Sequence, residues 1–208
     1  QLARARTNVT YGEIRSLHGH DAFLIEHMQM EELLRPVFRA DVKAAPLKVL
    51  KFGGTSLANG KGLERVLEIV QQKYESGERM VVVLSAREKA TDQLQEMLEA
   101  AARGSDYRGL FDAFVEYQQH TFTEVDLSDA FRGLEGLLEG VRLLGDYSLK
   151  VRDQVWAFGE LIASRLIAEL LGKRGVPSQW IDARDLLKTD AQYGDAHILE
   201  SLSRENVL

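Results

Sequence analysis

The sequence predicts a three-layer α/β fold, because short apolar strands alternate along the chain with amphipathic helices. A valine-rich run from Met80 to Ser85 is typical of a strand that is buried on both faces. A shorter strand from Lys48 to Phe52 ends at Gly53-Gly54 and is followed by a helical pattern. A third strand is predicted from Gln179 to Asp182, after the last long helix.

The composition is that of an ordinary globular protein. Of 208 residues, 45% are hydrophobic and 28% are charged, which is enough to bury a core. The formal net charge of −6 argues against nucleic acid or an anionic membrane as a partner, because both need a basic surface. The lack of cysteine excludes disulfides, cysteine-ligated zinc and a thiol nucleophile. With no secretory signal and no apolar run of membrane-spanning length, we expect a cytoplasmic protein.

Helices are predicted between and after the strands. In the first of them, apolar residues at helical spacing predict one buried face, made of Leu63, Val66, Leu67 and Val70. Thr55 or Ser56 is the predicted N-cap of this helix. Four more helices are predicted, at Thr91 to Ala102, Tyr107 to Phe122, Leu127 to Leu144 and Leu149 to Leu171.

The start of the chain differs from the rest. Pro36 and Pro46 bracket a short polar stretch that is typical of a linker. This pattern predicts a domain piece at residues 1–38, a linker at 39–46 and a second domain at 47–208. Within the first piece the sequence predicts a strand, a turn and a helix, at Val9 to Ile14, His18 to Asp21 and Ala22 to Phe38.

The segment Lys51-Phe52-Gly53-Gly54-Thr55-Ser56 is the most informative one in the chain. Glycines at the carboxyl end of a strand let the backbone approach a ligand closely, because no Cβ stands in the way. The N–H groups there can point at a phosphate, and Lys51 can supply a positive charge. Thr55 and Ser56 could cap the helix or bind a polar substrate. From these residues alone, a Gly-Gly turn beside a surface lysine stays open as the alternative.

This hexapeptide resembles the N-terminal signature of the aspartokinases. They belong to the amino-acid kinase family and phosphorylate the β-carboxylate of L-aspartate with ATP and Mg²⁺. The resemblance covers residues 47–208 and implies the amino-acid kinase fold, with only its N-terminal lobe present. It continues in the order and spacing of that family through Val81 to Ala86, Thr91, Gly159-Glu160, Asp182 to Arg184 and Thr189-Asp190.

The resemblance implies a role for each matching residue. Lys51 would be the catalytic cation and, with Phe52, Gly53 and Gly54, would hold the phosphates of ATP. Glu160 would accept hydrogen bonds from the ammonium group of aspartate, and no protein ligand to Mg²⁺ is expected. The full set of residues on the aspartate side would be Thr55, Ser56, Ser85, Thr91 and Glu160.

The chain also departs from the family pattern. Arg87-Glu88-Lys89-Ala90 replaces a turn that is usually smaller and more neutral. The chain begins with Gln rather than Met and stops before the glycine-rich nucleotide-binding segments of the family's second half. We therefore expect a fragment that is inactive alone, from a protein that forms homo-oligomers at full length.

The first piece carries a second resemblance. Tyr11 to Ile14, followed by His18-Gly19-His20-Asp21-Ala22-Phe23-Leu24, resembles the C-terminal end of the homoserine O-acetyltransferases, which have the α/β-hydrolase fold. The resemblance implies that His20 is the general base and that Asp21 contacts homoserine, with acetyl-CoA as the acetyl donor. The serine nucleophile would lie before Gln1. The chain then looks like the junction of a bifunctional enzyme.

Three other interpretations stay open. The kinase part could act on another carboxylate or on carbamate, since kinases of one fold share the phosphate site. Half a kinase domain could also survive as a non-catalytic binding module. The third alternative is a homoserine O-acetyltransferase fragment, in which methionine biosynthesis is the main function.

Overall fold

A computed structural model describes residues 46–119 and 122–207. The strand, turn and helix predicted within residues 1–38, together with His20 and Asp21, lie outside the described residues. The strands are β1 Leu47–Phe52 and β2 Arg79–Leu84. The helices are α1 Gly60–Glu75, α2 Ala90–Ala102, α3 Arg108–Gln119, α4 Ser128–Leu144, α5 Leu149–Trp156, α6 Phe158–Lys173, α7 Ala183–Leu186 and α8 Glu200–Val207.

The described residues form two compact units. The first comprises residues 46–51, 72–83 and 181–207. The second comprises residues 52–71, 84–119 and 122–180, and therefore contains α2 to α6.

Strands β1 and β2 are neighbours in one sheet. The Ser85 N–H donates a hydrogen bond of 3.1 Å to the Phe52 carbonyl, so the two strands end side by side. This register makes the pair parallel, with α1 as its connection, as a β-helix-β pattern requires. Both predicted strands are therefore confirmed in position. The expectation that the second is buried on both faces is wrong for the described residues, because every residue of β2 is half-buried.

The start of α1 differs from the prediction. Thr55 and Ser56 are not N-caps, because they lie inside a 3-10 turn, Gly54–Leu57, that precedes the helix. Asn59 takes the capping role instead, and its Oδ1 accepts a hydrogen bond of 2.9 Å from the Gly62 N–H. The buried face of α1 is the predicted one, made of Leu63, Val66, Leu67 and Val70.

The core of the second unit surrounds α2, which contacts α3, α4, α5 and α6. Its buried side chains include Leu94, Met97 and Leu98, all fully inaccessible to solvent. They recur at the three- and four-residue spacing that places side chains on one helical face. The predicted helices in these regions are confirmed within a few residues at their ends, where residues are described.

The single helix predicted from Leu149 to Leu171 is wrong in one respect. The structure has two helices, α5 and α6, separated at Ala157. Ala157 has ψ of −21°, close to the 3-10 value, although its N–H still bonds to the Asp153 carbonyl and its own carbonyl accepts from the Leu161 N–H. Apolar periodicity continues across such a break, and for that reason the sequence pattern could not show it.

The strand predicted from Gln179 to Asp182 is also wrong, since these residues form no regular element. A strand needs a neighbouring strand to receive its backbone hydrogen bonds, and within the described ranges the sheet contains only β1 and β2. Trp180 and Ile181 are 38% and 55% exposed. Further along, Thr189 and Ile198 form an isolated antiparallel bridge.

Among the residues that the structure describes, no helix is both long enough and apolar enough to cross a bilayer.

Candidate functional site

The glycine turn begins where β1 ends. Gly53 is extended, with φ of −80° and ψ of 173°, and its carbonyl accepts a hydrogen bond of 3.0 Å from the Ser56 N–H. Gly53 and Gly54 are half-buried, whereas Thr55 and Ser56 are exposed. The turn therefore presents two hydroxyl side chains to solvent beside a glycine backbone.

The loop that follows β2 lies directly against this turn. A Cβ at Gly54 would be 3.0 Å from the Ala86 carbonyl oxygen and 3.6 Å from Glu88 N. A Cβ 3.0 Å from a backbone oxygen is a tighter contact than proteins usually show, so a side chain at position 54 would push the loop away by a few tenths of an ångström, and glycine permits the close approach. Ser85, which precedes Ala86, is half-buried at the end of β2.

The start of α6 reaches the same loop. Glu160 Oε1 accepts a hydrogen bond of 3.2 Å from the Ala86 N–H. Gly159 lies so close that a Cβ there would be 2.8 Å from Ala86 Cβ. Glu160 is exposed and sits in the first turn of α6, where the helix dipole stabilises a negative charge.

Within the second unit, the structure thus brings together three segments that are distant in sequence: the glycine turn, the loop after β2 and the first turn of α6. The backbone of the glycine turn suits a phosphate, and the Glu160 carboxylate suits an ammonium group. Thr91 is exposed in the first turn of α2, three residues before Leu94. Leu94 Cδ1 would be 3.6 Å from a Cβ at Gly159, so α2 borders the same site.

Lys51 lies in β1 and its side chain is exposed. It belongs to the first unit and directly precedes Phe52 and the glycine turn in sequence. His20 and Asp21, the candidates of the first piece, lie outside the described residues.

Asp182 and Asp190, which belong to the later part of the motif, form hydrogen bonds within their own loops in the first unit. Asp182 caps α7 by accepting a hydrogen bond of 2.9 Å from the Arg184 N–H, and it also forms an ion pair with the Arg184 guanidinium at 2.6 Å. Asp190 Oδ1 accepts hydrogen bonds from the backbone N–H groups of Gln192 and His197. These hydrogen bonds lower the pKa of Asp190 below its usual value, that from Gln192 most strongly.

Two residues at the site were missed as contributors by the sequence prediction, which treated Arg87 only as a departure from a family pattern. Arg87 is 5% exposed, and its guanidinium lies 4.3 Å from the centre of the Tyr117 ring. Only three-dimensional contacts identify this pair, because 30 residues separate the two positions. Across the described ranges, no group of three or more His, Asp or Glu side chains could hold a metal ion.

Comparison with known proteins identifies the family to which the sequence is similar. The sequence model of the amino acid kinase family matches residues 46–207. The chain is 30% identical over 154 residues to the lysine-sensitive aspartokinase 3 of Escherichia coli, covering 71% of this chain and 33% of that protein. It is 29% identical over 173 residues to the chloroplastic bifunctional aspartokinase/homoserine dehydrogenase 1 of Arabidopsis thaliana, covering 75% of this chain and 19% of that protein.

Solved structures of E. coli aspartokinase III are similar as well. The complex with lysine and aspartate superposes with a TM-score of 0.63 at 27% identity, and the complex with aspartate and ADP with a TM-score of 0.61 at 26% identity. Each match covers 77% of this chain and 36% of the other. The chain therefore spans well under half of the length of these relatives.

Proposed function

The chain belongs to the amino acid kinase family and has its aspartokinase-like fold, and from this membership we propose that it is the N-terminal part of an aspartate kinase. The reaction is ATP-dependent phosphorylation of the L-aspartate β-carboxylate, the first step toward lysine, threonine and methionine. The observation that carries the proposal is the Glu160–Ala86 hydrogen bond beside Gly54, because it juxtaposes a group for an ammonium with a turn suited to phosphate.

The protein has little covalent chemistry to perform in this reaction. A carboxylate is ionised at pH 7, so it can attack the γ-phosphorus without a general base. The new bond joins a carboxylate oxygen to phosphorus, and the bond from phosphorus to the β,γ-bridging oxygen breaks to release ADP. Since both reactants are anions, the protein must position them and supply positive charge and N–H donors.

On the nucleotide side, we place the phosphates of ATP at the glycine turn. Gly53 and Gly54 supply N–H groups that no side chain obscures, and Phe52 leads the chain into the turn. We propose that Lys51, which directly precedes Phe52 in sequence, supplies a mobile positive charge. Mg²⁺ would neutralise phosphate charge, and we assign it no protein ligand.

On the aspartate side, we place the ammonium group at Glu160. Its Oε1 is oriented by the Ala86 N–H, and a carboxylate oxygen can accept more than one hydrogen bond. Ser85 and Thr91 lie at the ends of the loop that Glu160 contacts, and we propose that they bind the aspartate carboxylates. The exposed hydroxyls of Thr55 and Ser56 are further candidates on this side.

A kinase for another carboxylate is the nearest alternative of the same fold. A panel of L-aspartate, L-glutamate, acetate and carbamate distinguishes it, because only an amino-acid substrate uses Glu160 as an ammonium acceptor. Product from aspartate alone supports the proposal, whereas preference for acetate or carbamate contradicts it.

For residues 1–38 we propose the C-terminal tail of a homoserine O-acetyltransferase domain, joined by a linker at residues 39–46. The segment from His18 to Leu24 supports this, because the histidine of an α/β-hydrolase triad comes last in the chain, before the final helix. His20→Ala in the full-length protein should abolish acetyl transfer from acetyl-CoA to homoserine while leaving phosphorylation of aspartate unchanged. Undiminished acetyl transfer would contradict this assignment.

The test of the kinase proposal is ATP-dependent formation of aspartyl hydroxamate by the full-length gene product. Lys51→Ala should lower kcat/KM by about 100-fold or more, the usual cost of removing a group that stabilises developing charge. The control is Lys173→Ala, at an exposed lysine in the last turn of α6. No product from the folded wild-type protein, or equal activity of the two variants, would contradict the proposal.

A further inference from the structure

Arg87 is a buried cation in the loop that follows β2. Its Nε donates a hydrogen bond of 3.1 Å to the Leu57 carbonyl, and its Nη1 donates to the carbonyls of Tyr117 and Gln118. The last two acceptors belong to the final turn of α3, where carbonyls lack helical partners and the dipole favours a positive charge. Burial lowers the pKa of Arg87, but an arginine remains protonated at any physiological pH.

Tyr117 joins the same segments through its hydroxyl group. Its Oη lies 2.6 Å from the Ala58 carbonyl oxygen and 3.0 Å from that of Glu88. One hydroxyl proton serves both acceptors, so the phenol links the end of the glycine turn to the loop after β2. Burial raises the pKa of Tyr117, which keeps the hydroxyl protonated and able to donate.

Arg87 and Tyr117 together form what we call the clasp. The guanidinium lies over the phenol ring at 4.3 Å from its centre, in cation–π geometry. Between them, the two side chains bind the carbonyls of Leu57, Ala58 and Glu88. All of these atoms belong to the second unit.

The clasped loop is under backbone strain. Lys89 has φ of +64°, in the left-handed region that a lysine rarely adopts. Such a conformation persists only when surrounding contacts hold it, and residues with strained backbones are often found at functional sites. The clasp binds the carbonyl of Glu88, the residue directly before Lys89.

We propose that Arg87 and Tyr117 are positioning residues that fix the separation between the two halves of the proposed kinase site. This inference rests on the proposed function. The turn from Gly53 to Ala58 carries the glycines proposed to hold the phosphates, and the loop from Ser85 to Lys89 carries Ser85 and the Ala86 N–H that orients Glu160. Transfer between two bound anions depends on sub-ångström alignment, so a loosened spacing lowers the rate of the chemical step more than the binding of either substrate.

The experiment compares two Tyr→Phe variants of the full-length protein. Tyr117→Phe removes the hydroxyl of the clasp and keeps the ring under Arg87. Tyr107→Phe is the matched control, because Tyr107 is 1% exposed and its hydroxyl also makes one defined hydrogen bond, of 3.0 Å, to Glu139. Arg87→Lys is the third variant, since it keeps the charge but not the fork that reaches several carbonyls.

Two readouts are measured, amide hydrogen exchange and steady-state kinetics. Exchange in the segments 54–58 and 85–89 should accelerate about tenfold in Tyr117→Phe, as expected when a hydrogen bond that restrains both loops is lost, and remain unchanged in Tyr107→Phe. In the hydroxamate assay, kcat should fall about tenfold in Tyr117→Phe and in Arg87→Lys, with both KM values within about threefold of wild type.

The outcomes separate the two proposals. Unchanged exchange in both segments overturns the clasp, whatever the activity. Equal kinetics of Tyr117→Phe and Tyr107→Phe in an active enzyme also overturn it. A wild-type protein that makes no product contradicts the kinase proposal, while the exchange measurement still tests whether the clasp holds the two loops.

Discussion

Glu160 and Ala86 are separated by 74 residues in sequence, yet the Glu160 carboxylate accepts a hydrogen bond of 3.2 Å from the Ala86 N–H. The contact joins the first turn of α6 to the loop that carries Ser85. A hydrogen bond from a backbone N–H orients a carboxylate and leaves its formal charge unchanged, which suits recognition of an ammonium group. The Glu160 carboxylate is therefore held by a contact within the protein and is also the group that we propose binds the substrate.

This link predicts a specific kinetic effect for Glu160→Gln. The amide oxygen of glutamine can still accept from Ala86 N–H, but the negative charge is lost. We expect the KM for aspartate to rise about tenfold or more, as for a lost charge-assisted hydrogen bond, with the KM for ATP unchanged. Steady-state assays with each substrate varied in turn measure both constants.

The matched control for this prediction is Glu169→Gln, because Glu169 is exposed on the same helix. It should leave both KM values at their wild-type level. A Glu160→Gln enzyme with an unaltered KM for aspartate would remove Glu160 from the substrate site.

Gly159 yields a second prediction, because α6 and Ala86 meet there without a side chain between them. A Cβ at position 159 would be 2.8 Å from Ala86 Cβ and 3.6 Å from Leu94 Cδ1, so Gly159→Ala must displace the loop or the helix. We expect a loss of about 1–3 kcal/mol in the free energy of unfolding, which is typical of overpacking, and a lower kcat. Urea denaturation and the hydroxamate assay measure the two effects.

Gly172→Ala, on the same helix, is the control, since a Cβ there meets no atom within 4 Å among the described residues. It should stabilise the protein by up to about 1 kcal/mol through the helix propensity of alanine. If Gly159→Ala behaved like Gly172→Ala, the close contact with Ala86 would be wrong.

Periodicity predicted the parts of the fold that depend on one buried face. Leu63, Val66, Leu67 and Val70 bury one face of α1 because three- and four-residue spacing places them there. It could not predict the break at Ala157, which leaves that periodicity intact, or the absence of a strand at 179–182, which depends on partners elsewhere in the chain.

Some residues of the candidate site could also be predicted from the sequence, and others could not. The glycine turn after β1 was predictable because the motif is contiguous and glycine permits a close backbone approach, as at Gly54, whereas the role of Lys51 stays a prediction. The clasp of Arg87 and Tyr117 was not, because a sequence does not reveal that an arginine in a polar loop is buried against the end of a helix. The roles of the candidate residues remain predictions that the variants above test.

A third prediction concerns pH and the folded state. The Arg142 hydrogen bond, followed by that of Tyr107, lowers the pKa of Glu139 from 4.5 to about 2. A carboxyl whose folded pKa is depressed stabilises the protein above its unfolded pKa, and this contribution is lost as pH falls from about 4.5 through about 2. Urea midpoints measured between pH 6 and pH 2 should therefore fall less steeply in Glu139→Gln than in the wild type.

Arg142→Gln should flatten the same pH profile, because it removes the larger cause of the shift. Profiles of both variants that parallel the wild-type curve would show that Glu139 does not titrate as the geometry requires.

The last prediction concerns Gln118, whose side chain is fully buried in the last turns of α3. Neither of its amide atoms has a hydrogen-bond partner among the residues that the structure describes. A buried amide without partners costs about 1–3 kcal/mol, whereas methionine fills a similar volume without polar atoms. Gln118→Met should therefore raise the free energy of unfolding by about 1 kcal/mol, measured by urea denaturation.

Gln119→Met is the control, because the Gln119 Nε2 donates a hydrogen bond of 2.9 Å to the Val125 carbonyl and its loss should destabilise the protein. A destabilised Gln118→Met would contradict this prediction, because the side-chain amide would then contribute favourable hydrogen bonds where it is buried.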